Sequence, residues 1–183
     1  MAALLGRAGA TPNAISAFSV VFAFVAAGCL AWPVGWASWL GAALAIQGRL
    51  LCNLFDGMVA VEGGKQSATG ELWNDLPDRV SDTVILVGAG VGAGQTDLGA
   101  LAAIAALHVA YLRVLGRAAG ARSHFAGPMA KQHRMALLTG ACLLATWLGR
   151  PVLTGALVVL VVGCAVTVGR RWMLVSADLH GAR

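Results

Sequence analysis

The chain reads as an all-α, polytopic membrane protein with six transmembrane helices. Three observations predict this. Hydrophobic residues make up 58% of the 183 residues and charged residues 11%, against about 45–50% and 25% in an average soluble domain. The mean hydropathy is +0.77. Six apolar segments can be drawn, each near the ~20 residues that a bilayer-crossing helix needs. So few charges do not cover the surface of a soluble globule of this size. The composition therefore excludes a soluble enzyme, a disordered chain and a nucleic-acid-binding domain. The net charge of +5 fits basic cytoplasmic loops and anionic lipid headgroups instead. The whole chain, 1–183, is read as one six-helix membrane domain.

The first segment covers about 14–32. Thr11-Pro12-Asn13 precedes it as a helix-start signal, and Pro33 ends it. Arg7, an apolar run and then Ala26-Ala27-Gly28-Cys29 faintly resemble a lipoprotein signal, but a first transmembrane helix is the simpler reading because the rest of the chain is itself embedded. The second segment covers about 35–61. Its latter half carries Gln47, Arg49, Asn53 and Asp56, and Gly63-Gly64-Lys65 breaks it. The third, about 69–93, is polar at first (Glu71, Asn74, Asp75, Asp78, Arg79, Asp82) and apolar after. The fourth, fifth and sixth cover about 98–116, 133–149 and 151–174. Irregular backbone at membrane depth would leave amides unpaired, so helices are the default. Gly88, Gly90, Gly92 and Gly94 give small-residue spacing suited to close helix packing, with a homodimer contact as one expected use.

Cys29, Cys52, Cys142 and Cys164 sit in apolar runs without CxxC spacing, and read as isolated thiols. Trp32, Trp36 and Trp39 read as interface anchors. With six spans, Arg7, Lys65, Arg117, Arg122, Lys131, Arg134, Arg170, Arg171 and Arg183 share one side, while only Arg150 lies on the other. The basic side is placed in the cytoplasm of a bacterial inner membrane, together with both termini.

The acidic residues carry the function. Six of the eight lie between Asp56 and Asp82. On helices, Arg49, Asn53 and Asp56 fall within about 60° of each other, as do Glu71, Asp75, Asp78 and Asp82. Two antiparallel helices can then present oxygen ligands to one another. Crowded carboxylates near lipid need compensation, and hard divalent cations supply it. A solvated helix start accounts for Glu71 and Asp75, but not for Asp78 and Asp82 two to three turns inside.

The spacing resembles that of the CDP-alcohol phosphatidyltransferases. Their signature is Asp-x-x-Asp-Gly-x-x-Ala-Arg, a spacer, then Gly-x-x-x-Asp-x-x-x-Asp. The chain has Asn53-Leu54-Phe55-Asp56-Gly57-Met58-Val59-Ala60-Val61, then Gly70-Glu71-Leu72-Trp73-Asn74-Asp75-Leu76-Pro77-Asp78. It departs at Asn53, Asn74 and Val61, which looks like a bacterial side branch of the family. The resemblance implies transfer of a phosphatidyl or other substituted phosphate group from CDP-diacylglycerol, or a similar CDP-alcohol, to an alcohol acceptor, with release of CMP, at the surface of a lipid bilayer. It also implies Mg²⁺ or Mn²⁺, one ion or two.

The implied metal set is Asn53, Asp56, Asn74 and Asp78, with Asp82 restoring a charge. Asp78 or Asp82 is the implied base. Gly57 and Gly70 would let backbone approach the nucleotide. Arg49 either pairs with the acids or holds a phosphate, and Arg79, about 100° round the helix from Asp78, snorkels or is structural. Lys65, Arg113, Arg117 and Lys131 complete the expected substrate-binding set. The loop from Arg117 to Arg134 either binds phosphate or only sets topology. Two other classes compete: a catalytically silent relative that binds CDP-lipid or metal as a scaffold, and a small transporter using the buried acids.

Overall fold

The computed structural model describes residues 11–62 and 69–181. The helices are α1 (Pro12–Ala31), α2 (Trp36–Glu62), α3 (Gly70–Ala93), α4 (Thr96–Ala118), α5 (Lys131–Leu148) and α6 (Pro151–Gly181). No strand occurs among the described residues. Thr11 caps α1 as expected: its Oγ1 accepts from the Ala14 amide at 3.2 Å, and Pro12 occupies the first turn. Gly94 ends α3 in the left-handed conformation, φ 70°. The chief difference from the expected boundaries is α6, whose 31 residues are about 46 Å long. That exceeds a hydrocarbon core of about 30 Å. The helix continues past Leu174, where Ser176, Asp178 and His180 lower hydropathy, because no Pro or Gly interrupts it between Leu174 and Gly181.

The helices close into a ring. Neighbours pack in the order α1, α2, α5, α6, α4, α3 and back to α1, and α3 also touches α6 across the middle. Only small residues permit the closest contacts. A Cβ on Gly88 would lie 2.8 Å from the Ala27 Cα, and one on Gly92 would strike the Leu30 carbonyl, so α3 lies directly on α1. Gly90 meets Gly99 of α4 in the same way. Gly88, Gly90 and Gly92 are thus spent inside the chain, where they fix α1 against α3 and α3 against α4.

Large apolar side chains face outward on every helix, among them Phe24, Leu54, Leu76, Ile104, Leu144 and Val162. An apolar exterior round a core that holds buried charges is the arrangement of a membrane protein. α1, α4 and α6 are long and apolar enough to cross a membrane by themselves; α2, α3 and α5 carry most of the buried charges, and α6 adds Arg171. Trp32 and Trp36 are exposed, as interface anchors should be, but Trp39 is buried in the core one turn further along α2. The four cysteines are free thiols, with Cys142 and Cys164 in the core.

One buried ion cluster ties three helices together. Asp82 of α3 lies between Arg49 of α2, at 2.8 Å, and Arg134 of α5, at 2.6 Å. Exposure is 3% for Asp82, 0% for Arg49 and 1% for Arg134. Arg134 also donates to the Met129 carbonyl at 2.8 Å, which anchors the end of the α4–α5 loop. Removing one partner of such a cluster leaves a charge buried without compensation, at a cost of about 3–5 kcal/mol. Asp82→Ala should therefore lower the unfolding midpoint in detergent sharply, whereas Glu71→Gln, which breaks only an exposed pair with Arg117, should leave it nearly unchanged.

Candidate active site

The polar stretches converge because alternate helices run in opposite directions. The start of α1, the end of α2, the start of α3, the end of α4, the start of α5 and the latter part of α6 all lie at one end of the ring. The backbones of α2 and α3 do not pack closely there, although the helices are consecutive. Long side chains bridge them, and a cavity of about 420 Å³ opens beside the bridge. The expected juxtaposition of two touching helices is thus realised across a gap.

Asp78 lies on the cavity wall and is buried. Its Oδ1 accepts from Arg49 Nη2 at 3.2 Å and from Asn53 Nδ2 at 3.1 Å, and its Oδ2 is held by Lys131 Nζ. Asn53 and Asn74 line the same cavity. Asp56 is buried behind it, with Oδ2 accepting from Ser16 of α1, and remains within electrostatic reach of Asp78 and Lys131. Among the described residues nothing lies within 4 Å of the position a Cβ on Gly57 would take, so they leave its backbone open to approach. Gly70 begins α3. Lys65 lies outside the described residues.

Other expectations change. Asp82 does not line the cavity. Clamped by two guanidiniums one turn deeper, it is the structural counter-ion of the cluster, and a carboxylate so held is poorly placed to ligate a metal or take a proton. Arg49 sits between Asp78 and Asp82 and not on the cavity wall, which settles its two readings in favour of pairing with the acids. Asp75 and Glu71 meet arginines of α4: Arg113 grips Asp75 at 2.7 and 3.0 Å, and Arg117, expected to bind substrate, pairs with Glu71 at the surface, away from the cavity. Arg79 lines the cavity and reaches the Asp75 carbonyl at 3.3 Å.

The α4–α5 loop forms one wall and is pinned to α6. Met129 N donates to Thr167 Oγ1 at 3.0 Å, and the Asp178 carboxylate receives the Arg122 amide at 3.0 Å and contacts His124 Nε2 at 2.8 Å. Phe125 lies under the Arg113 guanidinium, 5.4 Å from it. Arg171 was read only as a topology signal. It is in fact buried and lines the cavity, donating to the carbonyls of Ala126 at 3.0 Å and Val109 at 2.7 Å. Among the described residues no carboxylate pairs with it. An arginine far along a long apolar helix was the available signal.

The cavity wall carries Arg79, Arg113, Lys131, Arg134 and Arg171 against Asp75 and Asp78, so it is cationic and suits an anion. Among the described residues no three His, Cys, Asp or Glu side chains converge as a ready metal-ligand set. Asp78, Asn53 and Asn74 on the cavity wall, and Asp56 buried nearby, offer oxygen donors of the kind that hard divalent cations take.

No protein-family model and no curated protein matches the chain. Solved structures do. Phosphatidylinositol phosphate synthase PgsA1 of Mycobacterium tuberculosis, in complex with manganese and citrate, superposes with a TM-score of 0.84 at 19% identity, over 97% of this chain and 88% of that one. The same synthase with CDP-DAG bound gives 0.80 at 17% identity, over 95% and 90%. Its apo form gives 0.82 at 19% identity, over 97% and 95%. At these identities the likeness is one of fold, and it runs the length of both chains: the six-helix ring of this protein is the fold of a phosphatidylinositol phosphate synthase.

Proposed function

We propose that the protein is an integral-membrane CDP-alcohol phosphatidyltransferase. In this reading it moves a substituted phosphate group from CDP-diacylglycerol, or a related CDP-alcohol, to an alcohol acceptor and releases CMP, as a step of phospholipid synthesis. The observation that carries it is the placing of Asp78: one carboxylate on the wall of a cationic cavity, at the end of the ring where the family's spaced motif falls. The fold shared with a synthase seen with CDP-DAG bound supports it.

The residues divide the work. A carboxylate offers about four acceptor sites, and three donors already hold Asp78. One site is left for the proton of an attacking hydroxyl, which makes Asp78 the general base. Lys131, Arg113 and Arg171 face the phosphates, stabilising charge in a site shielded from bulk water. The uncompensated charge of Arg171 needs a partner when buried, and we assign it to an anionic group on the acceptor, a phosphorylated alcohol. Asp56, with the amide oxygens of Asn53 and Asn74, would hold a divalent cation, Mg²⁺ or Mn²⁺. Bound there, it would neutralise charge on the diphosphate and the departing CMP. In this reading this end of the ring, with both termini, faces the cytoplasm at a bacterial inner membrane, which the excess of basic residues in its loops supports. All six helices cross that membrane in this reading, and the chain forms a homodimer.

CMP release from CDP-diacylglycerol in mixed micelles, with Mg²⁺ or Mn²⁺ and a panel of alcohols, tests the reading. Phosphorylated polyols should be the best acceptors. Binding of CDP-diacylglycerol without CMP from any acceptor would instead identify a silent scaffold, the reading that the amides at Asn53 and Asn74 favour. Asp78→Asn should lower turnover about 10²–10⁴-fold while lipid binding persists; unchanged turnover would move the base elsewhere.

A separate measurement addresses Arg171. Loss of a charge-assisted bond is worth about 1.5–3 kcal/mol, so Arg171→Gln should raise the acceptor KM about 10- to 150-fold. The KM for CDP-diacylglycerol should stay near its original value.

A further inference from the structure

Asp78 already has cations on both oxygens. Arg49 Nη2 lies 3.2 Å from Oδ1, and Lys131 Nζ is on Oδ2. Lys131 is the first residue of α5, so a separate helix delivers its ammonium to the gap between α2 and α3. It is also within electrostatic reach of Asp56. Within this group the charges balance from the chain's own residues, Asp56, Asp78 and Asp82 on one side and Arg49, Lys131 and Arg134 on the other, while Arg171, which meets no carboxylate among the described residues, adds a further positive charge. At the two further positions facing the gap the side chains are amides, Asn53 and Asn74, and Asn53 turns its NH₂ to Asp78.

One divalent ion added to this neutral set brings two positive charges, which the two negative charges of a bound diphosphate offset. A second ion would leave two charges without compensation beside a hydrocarbon core, where uncompensated charge is costly.

We propose that Lys131 is a built-in cation of the site. Its ammonium occupies Asp78 where a second divalent ion would otherwise bind, so each chain takes at most one Mg²⁺ or Mn²⁺. This rests on the transferase reading for the identity of the substrate, and on the ion-pair geometry alone for the ion count.

The test counts Mn²⁺ on the full-length chain in detergent, by the electron paramagnetic resonance of unbound Mn²⁺, with and without CDP-diacylglycerol. The wild type should bind no more than one ion per chain in both cases. Lys131→Met vacates Asp78 Oδ2 and should tighten Mn²⁺ binding about tenfold or more. Adding Asn53→Asp and Asn74→Asp to Lys131→Met should raise the count to two. Two ions on the wild type, or a Lys131→Met variant whose Mn²⁺ affinity is unchanged or weaker, overturns the proposal. The two readings fail separately: CMP release with two ions per chain removes the built-in cation and keeps the transferase, while one ion, tightened by Lys131→Met, without CMP release does the reverse.

Discussion

The structure depends on a carboxylate that water hardly reaches. Asp82 joins α2, α3 and α5 through two guanidiniums, and these helices supply most of the groups that face the cavity. Apolar packing inside a membrane does not select one arrangement strongly, because lipid tails are as apolar as leucine. A charge cluster does select, since any rotation or slide of α3 leaves Asp82 facing hydrocarbon and two arginines unpaired. The cluster is not fully satisfied: Arg49 keeps Nε and Nη1, and Arg134 keeps Nε, without hydrogen-bond partners among the described residues. Its contribution is therefore to specificity of arrangement as much as to stability, in keeping with what buried ion pairs do elsewhere.

From that anchor the site follows in steps of one helical turn. Asp78 is one turn from Asp82 on α3, and Asn53 one turn from Arg49 on α2, so the same two helix faces that hold the cluster also present the cavity wall. Arg49 belongs to both layers, touching Asp82 below and Asp78 above. The anchor and the proposed base are thus coupled through one side chain, and the position of Asp78 is set from beneath before any ligand arrives.

Much of this was legible in the sequence because membrane helices announce themselves by length and hydropathy, and because carboxylates at helical spacing must share a face. The six segments, the Thr11 cap and the convergence of Asn53 and Asp78 were all readable. What was not readable is which cation each carboxylate meets, since ion partners come from helices distant in sequence: Arg134 reaches Asp82 from α5, Lys131 reaches Asp78 from α5, and Arg113 reaches Asp75 from α4. Spacing alone made Asp82 look like part of the site. Trp39 misled for a similar reason, because a tryptophan near a predicted boundary carries no mark of which way its face of the helix will turn. The glycines of α3 signalled close approach correctly but not the identity of the neighbour.

The separation of α2 from α3 at the polar end has a further meaning. Leu50 and Leu54 of α2 stand on the cavity wall beside Asn53, and Leu54 also faces the outside. On the transferase reading, a substrate with two fatty tails can keep those tails in the bilayer while only its head slips sideways between the helices. Its product leaves by the same doorway, and the water-soluble partner comes from above. The two reactants then meet without either one changing phase, and no helix of the ring has to swing aside to admit them.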